Sequence, residues 1–228
     1  MVLIYVTQPE PKLNGKTRLP VFCISAAHRQ YFMTHHTMET ITYTDVLAFW
    51  FHEAREKLWF SVDTAFDNCI RQRFLDLMQQ AAAAELYSWR TTAEGRLAEI
   101  IVLDQFSRNV YRNTPQAFSQ DPMALVLAQE AVVSGALQKL NIKQRGFLLL
   151  PYMHSESGQI HVVAETLHRN FASKGSYHYE LRHKAIIDHF GRYPHRNNIL
   201  GRVSTPAEQE FLRQPLSHFY QQLEKDQK

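Results

Sequence analysis

The chain has 228 residues, of which 45% are hydrophobic and 21% charged, and its formal net charge is +3 at pH 7. This composition is typical of a globular domain with a full apolar core, and the small positive excess excludes the broad basic surface of a nucleic-acid-binding protein. No apolar run approaches the roughly 18 residues of a membrane span, and two cysteines make no disulfide framework. We therefore expect a cytoplasmic protein with neither nucleic-acid nor membrane partners.

The first segment, residues 1–43, contains three prolines and no helical stripe, which predicts an irregular extension. Met33 and Met38 lie inside it, so it stays open whether residue 1 is the native start. Residues 44–228 are predicted to form a single all-α domain.

A clear helical stripe lies between residues 64 and 81. Apolar side chains recur there at steps of four, four, three and four, which places them on one face of an α-helix. A capping-box pattern from Thr91 to Glu94 then predicts the start of the next helix.

Capping residues and prolines delimit the later helices. They predict a helix start at Asp121, a further helix that ends at Pro151 and a last helix capped by Thr205. Two more apolar stripes lie over residues 159–171 and 176–190. Because the connections are short, we expect antiparallel neighbours, and the predicted fold class is all-α, an antiparallel helical array.

Two charged residues interrupt the apolar face of the helix that follows the capping box. Leu97 and Ile100 define that face, and a rotation of 100° per residue brings Asp104 and Arg108 onto it, with Arg112 nearby. Buried Asp and Arg are almost always paired, so they form either a structural ion pair or part of a site. A third interpretation is an i,i+4 salt bridge at a helix end that has already reached solvent.

His183 interrupts the stripe of the helix over residues 176–190 in the same way. A histidine in such a position is either a hydrogen-bonded core residue or an acid–base group.

A long loop follows this helix, within the stretch FGRYPHRNNILGRVST at residues 190–205. It runs for fourteen residues, 191–204, whereas such connections typically have roughly 4–6. Planar guanidinium groups in it suit carboxylate or phosphate ligands, and a solvated basic loop is the alternative. The polar candidates in the loop are Arg192, His195, Arg196, Asn197 and Arg202.

These observations lead to one hypothesis, in which the loop closes over a polar pocket whose floor is Asp104, Arg108 and His183. His183 or His195 would be the general acid or base, and Asp104 would orient Arg108 or His183. The ligand would be a small carboxylate or phosphate, with turnover left open. The candidate ligand-binding residues are Arg108, Arg112, Arg192, Arg196, Arg202, Asn197, His154 and Glu156.

Two other classes of function remain open. One is a helical scaffold that binds a protein partner. The other is a metal-carboxylate protein, because Glu165-x-x-His168 and Glu180-x-x-His183 match the Glu-x-x-His element of di-iron bundles. Glu180 falls at the edge of its apolar face and the further carboxylates are not identified, so we assign no metal ligand and no cofactor.

Four stretches of the chain resemble a known bacterial family, the one catalogued as domain of unknown function 924. They are VLAFWF (46–51), VLDQFSRNVYR (102–112), FLLLPYMHSE (147–156) and HKAIIDHFGRYPHRNNILGRVSTPAEQEFL (183–212). The last has His183-Lys184 where the family pattern has His-Arg. The resemblance implies an all-α, TPR-like fold over roughly residues 44–213 and implies no particular reaction.

Overall fold

The computed structural model describes residues 40–214. Within this range the chain consists of α-helices and single helical turns joined by short connections, and no β-strand occurs. The all-α prediction is therefore confirmed, while the TPR-like arrangement stays a prediction. The predicted irregular extension lies almost entirely outside the described residues. None of the helices between residues 40 and 214 combines the length and the apolar character needed to cross a membrane.

The first half of the domain surrounds an aromatic core. Its α-helices are α1 (Tyr43–Ala48), α2 (Thr64–Ala82), α3 (Ala93–Ile101) and α4 (Ser107–Val110). A π-helical turn extends α1 over Phe49–Glu53, and another joins α3 to α4 over Val102–Phe106. Further single turns of 3-10 helix lie at Glu56–Leu58, Tyr87–Thr91 and Pro115–Phe118.

The second half contains the longer helical hairpins. Its α-helices are α5 (Asp121–Val133), α6 (Ala136–Lys139), α7 (Ile142–Met153), α8 (Gly158–Phe171), α9 (Lys174–Phe190) and α10 (Pro206–Leu212). Helix α8 packs on both α7 and α9, to which short connections join it, as expected for antiparallel neighbours. The loop between α9 and α10 contains one 3-10 turn, Pro194–Arg196.

Two helix boundaries differ from the sequence prediction. Thr92, not Thr91, caps α3, because its side chain accepts the Gly95 backbone N–H at 2.9 Å. Helix α7 continues past Pro151 to Met153. A proline so close to a helix end removes one backbone hydrogen bond, and the buried flanking side chains hold the last turn in place.

The core is built on aromatic rings that pack against each other in tilted and edge-to-face arrangements. Phe49, Trp50, Phe74 and Phe106 are all buried, and neighbouring ring centroids among them lie 4.9–6.0 Å apart. Each such side chain contributes about 1.5–3 kcal/mol by leaving water. Phe106 is the last residue of the π-helical turn in the α3–α4 helix, so this core fixes the turn that carries Asp104.

Candidate functional site

The candidate site begins at Asp104, in the π-helical turn between α3 and α4. Its side chain is 1% exposed, and its Oδ1 lies 2.9 Å from Arg108 Nη1 and 2.8 Å from His154 Nδ1. Gln105 donates its side-chain amide to Oδ2 at 2.5 Å. The interpretation as a solvent-exposed helix end is therefore wrong for Asp104. A π-helical turn is wider than an α-helical one and often lies at a functional site.

Arg108 continues the network to the start of α5. Its Nη2 lies 3.0 Å from Oδ2 of Asp121, and Nη1 of Arg196 lies 3.2 Å from the same oxygen. Arg196 also donates through Nη2 to the His154 backbone carbonyl at 3.0 Å. The contacts thus form a closed circuit. We call it the charge ring, and its members are Asp104, Arg108, Asp121, Arg196 and His154.

Two aromatic side chains lie against the guanidinium groups of the charge ring. The Phe118 ring is 4.7 Å from Cζ of Arg196 and 5.7 Å from Cζ of Arg108. Tyr193 lies 4.7 Å from Cζ of Arg196. Such cation–π contacts keep each guanidinium plane in a fixed orientation.

The charge ring has a buried side and a more open side. The Arg196 side chain is 7% exposed, whereas Arg108 keeps 12%, His154 15% and Asp121 17% of their side-chain surface. The open side of the ring is the side of His154 and Asp121.

Proton positions in the charge ring follow from burial and neighbouring charge. Burial raises the pKa of Asp104, but the positive charge of Arg108 and the hydrogen bonds from His154 and Gln105 outweigh it and hold that pKa well below its usual range. Burial and the Arg108 charge lower the pKa of His154, against the opposing effect of Asp104 and Asp121. A charged Asp104 thus faces a neutral His154, which donates from Nδ1 and keeps an acceptor at Nε2.

The loop between α9 and α10 is packed rather than solvated. Arg192 forms a bidentate pair with Glu208, and Arg202 forms one with Glu156. Asn197 is fully buried and donates to Ser204 Oγ at 3.1 Å. The alternative of a solvated basic loop is wrong, and the two outer arginines hold the loop to carboxylates instead of facing the charge ring.

The two histidines predicted to be acid or base lie around Tyr193. Their ring centroids are 5.7 Å (His183) and 5.5 Å (His195) from that of Tyr193. His183 donates from Nδ1 to the Tyr179 carbonyl, and burial lowers its pKa well below the ordinary value. Asp104 contacts His154 where the sequence hypothesis expected His183.

A buried histidine–glutamate hydrogen bond joins α8 to α9. His161 Nδ1 and Glu180 Oε1 are 2.7 Å apart, and both side chains are fully buried, so the placement of Glu180 at the edge of the apolar face was wrong. His168 donates from Nδ1 to the carbonyl of Ala164, one turn earlier. No group of three or more His, Cys, Asp or Glu in residues 40–214 is arranged to hold a metal ion.

Sequence reasoning identified some members of the site and missed others. Arg112 was a candidate, and its guanidinium group forms a bidentate pair with Asp67 on α2, which is not a member of the charge ring. The sequence analysis used Asp121 only to mark a helix start. It did not predict that the Asp121 side chain pairs with Arg108 and Arg196. Phe118 and Tyr193 had no signal that distinguishes them from core residues.

These features define a class of protein: an all-α domain whose interior contains a closed circuit of ion pairs and hydrogen bonds, covered by a packed loop. The chain belongs to the family described as "Bacterial protein of unknown function (DUF924)", whose model matches residues 46–216. It is also similar to a solved structure of a protein of unknown function from Agrobacterium tumefaciens. That similarity has 37% identity and a TM-score of 0.72, and it covers 75% of this chain and 96% of the other. A search of curated proteins finds no match.

Proposed function

We propose that the protein binds a small molecule bearing a carboxylate or a phosphate at the open side of the charge ring. The observation that carries this proposal is the convergence of two guanidinium groups, from Arg108 and Arg196, on one carboxylate oxygen of Asp121. Paired, oriented guanidinium groups are the donors that carboxylate and phosphate groups bind best. A cytoplasmic location, expected from the sequence, belongs to the same proposal.

Asp121 occupies the position that the ligand's anionic group would take. Its Oδ2 accepts from both arginines, while its Oδ1 is buried without a hydrogen bond from any described residue. It is the first residue of α5, so its side chain can turn away without unwinding the helix. Exchange of this carboxylate for an external one keeps the number of negative charges beside the arginines constant.

The N-terminus of α5 adds to the preference for an anion. This helix has 13 residues, and its first backbone N–H groups have no partner within the helix. The partial positive charge there favours negative groups near Asp121.

The other two functions remain alternatives. A scaffold would use an exposed face, and the large exposed apolar residues of the described chain are spread over several helices and loops. A metal-carboxylate site finds no cluster of ligands among the described residues. Neither alternative accounts for the pair of arginines on one oxygen.

A thermal-shift and calorimetric screen tests the proposal. The probes are inorganic phosphate and small mono- and dicarboxylates, and a ligand at one hundred times its Kd stabilises by about 2.7 kcal/mol. We expect Arg196→Lys to lose this response, because a point charge replaces a bidentate donor, and Arg112→Lys to keep it. We expect Asp121→Asn to bind phosphate more tightly than wild type, because a competing carboxylate is gone.

Two results would contradict the proposal. One is silence of the wild-type protein across the whole panel, which would favour the scaffold. The other is an equal loss of response in Arg196→Lys and Arg112→Lys, because the second arginine pairs with Asp67 outside the charge ring.

A further inference from the structure

The second ring nitrogen of His154, Nε2, is a hydrogen-bond acceptor that no described residue uses. Asp104 and Arg196 hold His154 at two points, its Nδ1 and its backbone carbonyl. The hydrogen bonds that the described residues make to His154 reach its Nδ1 and its backbone atoms and not its Nε2, and the side chain keeps 15% of its surface exposed. The imidazole is therefore fixed in orientation through Nδ1, and Nε2 is the ring nitrogen that no described residue uses.

The proton on His154 is fixed as well. Asp104 lies in a buried turn and accepts from Arg108 and Gln105, so it presents a carboxylate to Nδ1 of the histidine. A carboxylate in this position selects the tautomer with the proton on Nδ1. Nε2 then carries a lone pair and can only accept.

The acceptor lies beside the proposed anion donors. Oδ1 of Asp104 is shared by His154 Nδ1, at 2.8 Å, and by Arg108 Nη1, at 2.9 Å. The imidazole and one of the two guanidinium groups thus meet at a single oxygen. The N–H groups that now bind Asp121 and the acceptor of His154 therefore belong to one connected network.

We propose that the ligand is a small hydroxylated carboxylate or phosphate ester, whose hydroxyl group donates a hydrogen bond to His154 Nε2 while its anionic group binds Arg108 and Arg196. This inference rests on the proposed function. It makes His154 the residue that selects the ligand, in the place first predicted for His183 or His195. The Nδ1–H of His183 instead donates a hydrogen bond to the Tyr179 carbonyl of its own helix.

Matched pairs of probes isolate the hydroxyl group. Malate and succinate differ by one hydroxyl group, and propyl phosphate lacks both hydroxyl groups of glycerol 3-phosphate. Isothermal titration of the wild-type protein is expected to show malate bound about tenfold more tightly than succinate, the worth of one good hydrogen bond. His154→Phe keeps a planar ring without the acceptor, and its malate-to-succinate ratio is expected to fall to about one.

A spectroscopic measurement on the wild-type protein covers the case in which His154→Phe does not fold. In long-range ¹H–¹⁵N spectra, the Nε2 signal of His154 is expected to shift on addition of malate and to move far less with succinate. His183→Gln is the comparison variant, and the malate preference is expected to persist in it.

The outcomes separate the two proposals. If phosphate and succinate bind but malate gains nothing, the hydroxyl inference is wrong and the anion site stands. Loss of the preference in His183→Gln but not in His154→Phe would also overturn the role of His154. If no probe binds the wild-type protein, both proposals fail together.

Discussion

At the scale of single residues, the buried carboxylate of Asp104 decides how the site is organised. It accepts from Arg108, His154 and Gln105, and its exposed fraction is 1%. A buried charge is tolerated only when it is paired and hydrogen-bonded on its remaining lone pairs. Asp104 meets both conditions, so its removal leaves two cationic or donor groups without their main partner.

Asp104→Asn is expected to destabilise the protein by about 3–5 kcal/mol, because it leaves the buried charge of Arg108 with less compensation. Urea denaturation followed by circular dichroism measures the change. Glu53→Gln is the matched control: its pair with Arg73 is half-exposed, and we expect a loss of less than about 1 kcal/mol. Equally small losses of unfolding free energy in both variants would mean that the charge ring does not stabilise the fold.

Sequence periodicity indicated Asp104 and Arg108, because a helix of known phase places both on an apolar face. The same reasoning could not connect them to His154 or to Asp121. His154 lies 50 residues away from Asp104, and its partner is set by how α7 packs against the α3–α4 helix. Tertiary contacts of that kind leave no trace in a local pattern of apolar residues.

At the scale of elements, the α8–α9 pair holds several titratable groups out of water. His161 and Glu180 pair across the two helices, and His168 and His183 donate to carbonyls of their own helices. The sequence stripes predicted both helices, but they placed Glu180 at the edge of the apolar face, whereas its side chain is fully buried. The error arose because a buried glutamate with a histidine partner cannot be told from a rim residue by spacing alone.

Acid is expected to destabilise this helix pair. Burial lowers the pKa of His168 from 6.5 to about 4 in the folded protein. A depressed pKa means that the unfolded chain binds the proton first, so the stability is complete above pH 6.5 and is lost as the pH falls toward 4. This one side chain contributes about 3 kcal/mol to that loss.

The free energy of unfolding, measured by urea denaturation at several pH values between 7 and 4.5, checks this expectation. His168→Gln should flatten the pH dependence, whatever its effect on absolute stability, because glutamine does not titrate. His178→Gln changes an exposed histidine on α9 and should leave the slope as in wild type. An unchanged slope in His168→Gln would show that another group controls acid unfolding.

At the scale of the whole molecule, the helical fold followed from the sequence more readily than the site did. Capping residues and 3.6-residue stripes act within each helix, so α2, α5, α8, α9 and α10 could be predicted one at a time. The loop between α9 and α10 is different. Its arginines pair with Glu208, Glu156 and Asp121, which lie on three other parts of the chain. Only the folded structure shows that each of these loop arginines lies next to a carboxylate.

The central claim is that an external anion takes the place of Asp121 on Arg108 and Arg196. Anomalous diffraction from crystals grown with tungstate, a heavy tetrahedral analogue of phosphate, tests it most directly. The account predicts a tungsten peak beside both guanidinium groups, with the Asp121 side chain turned out of the charge ring. Tungstate found only elsewhere on the protein, with the contacts of Asp121 to both arginines intact, would contradict it.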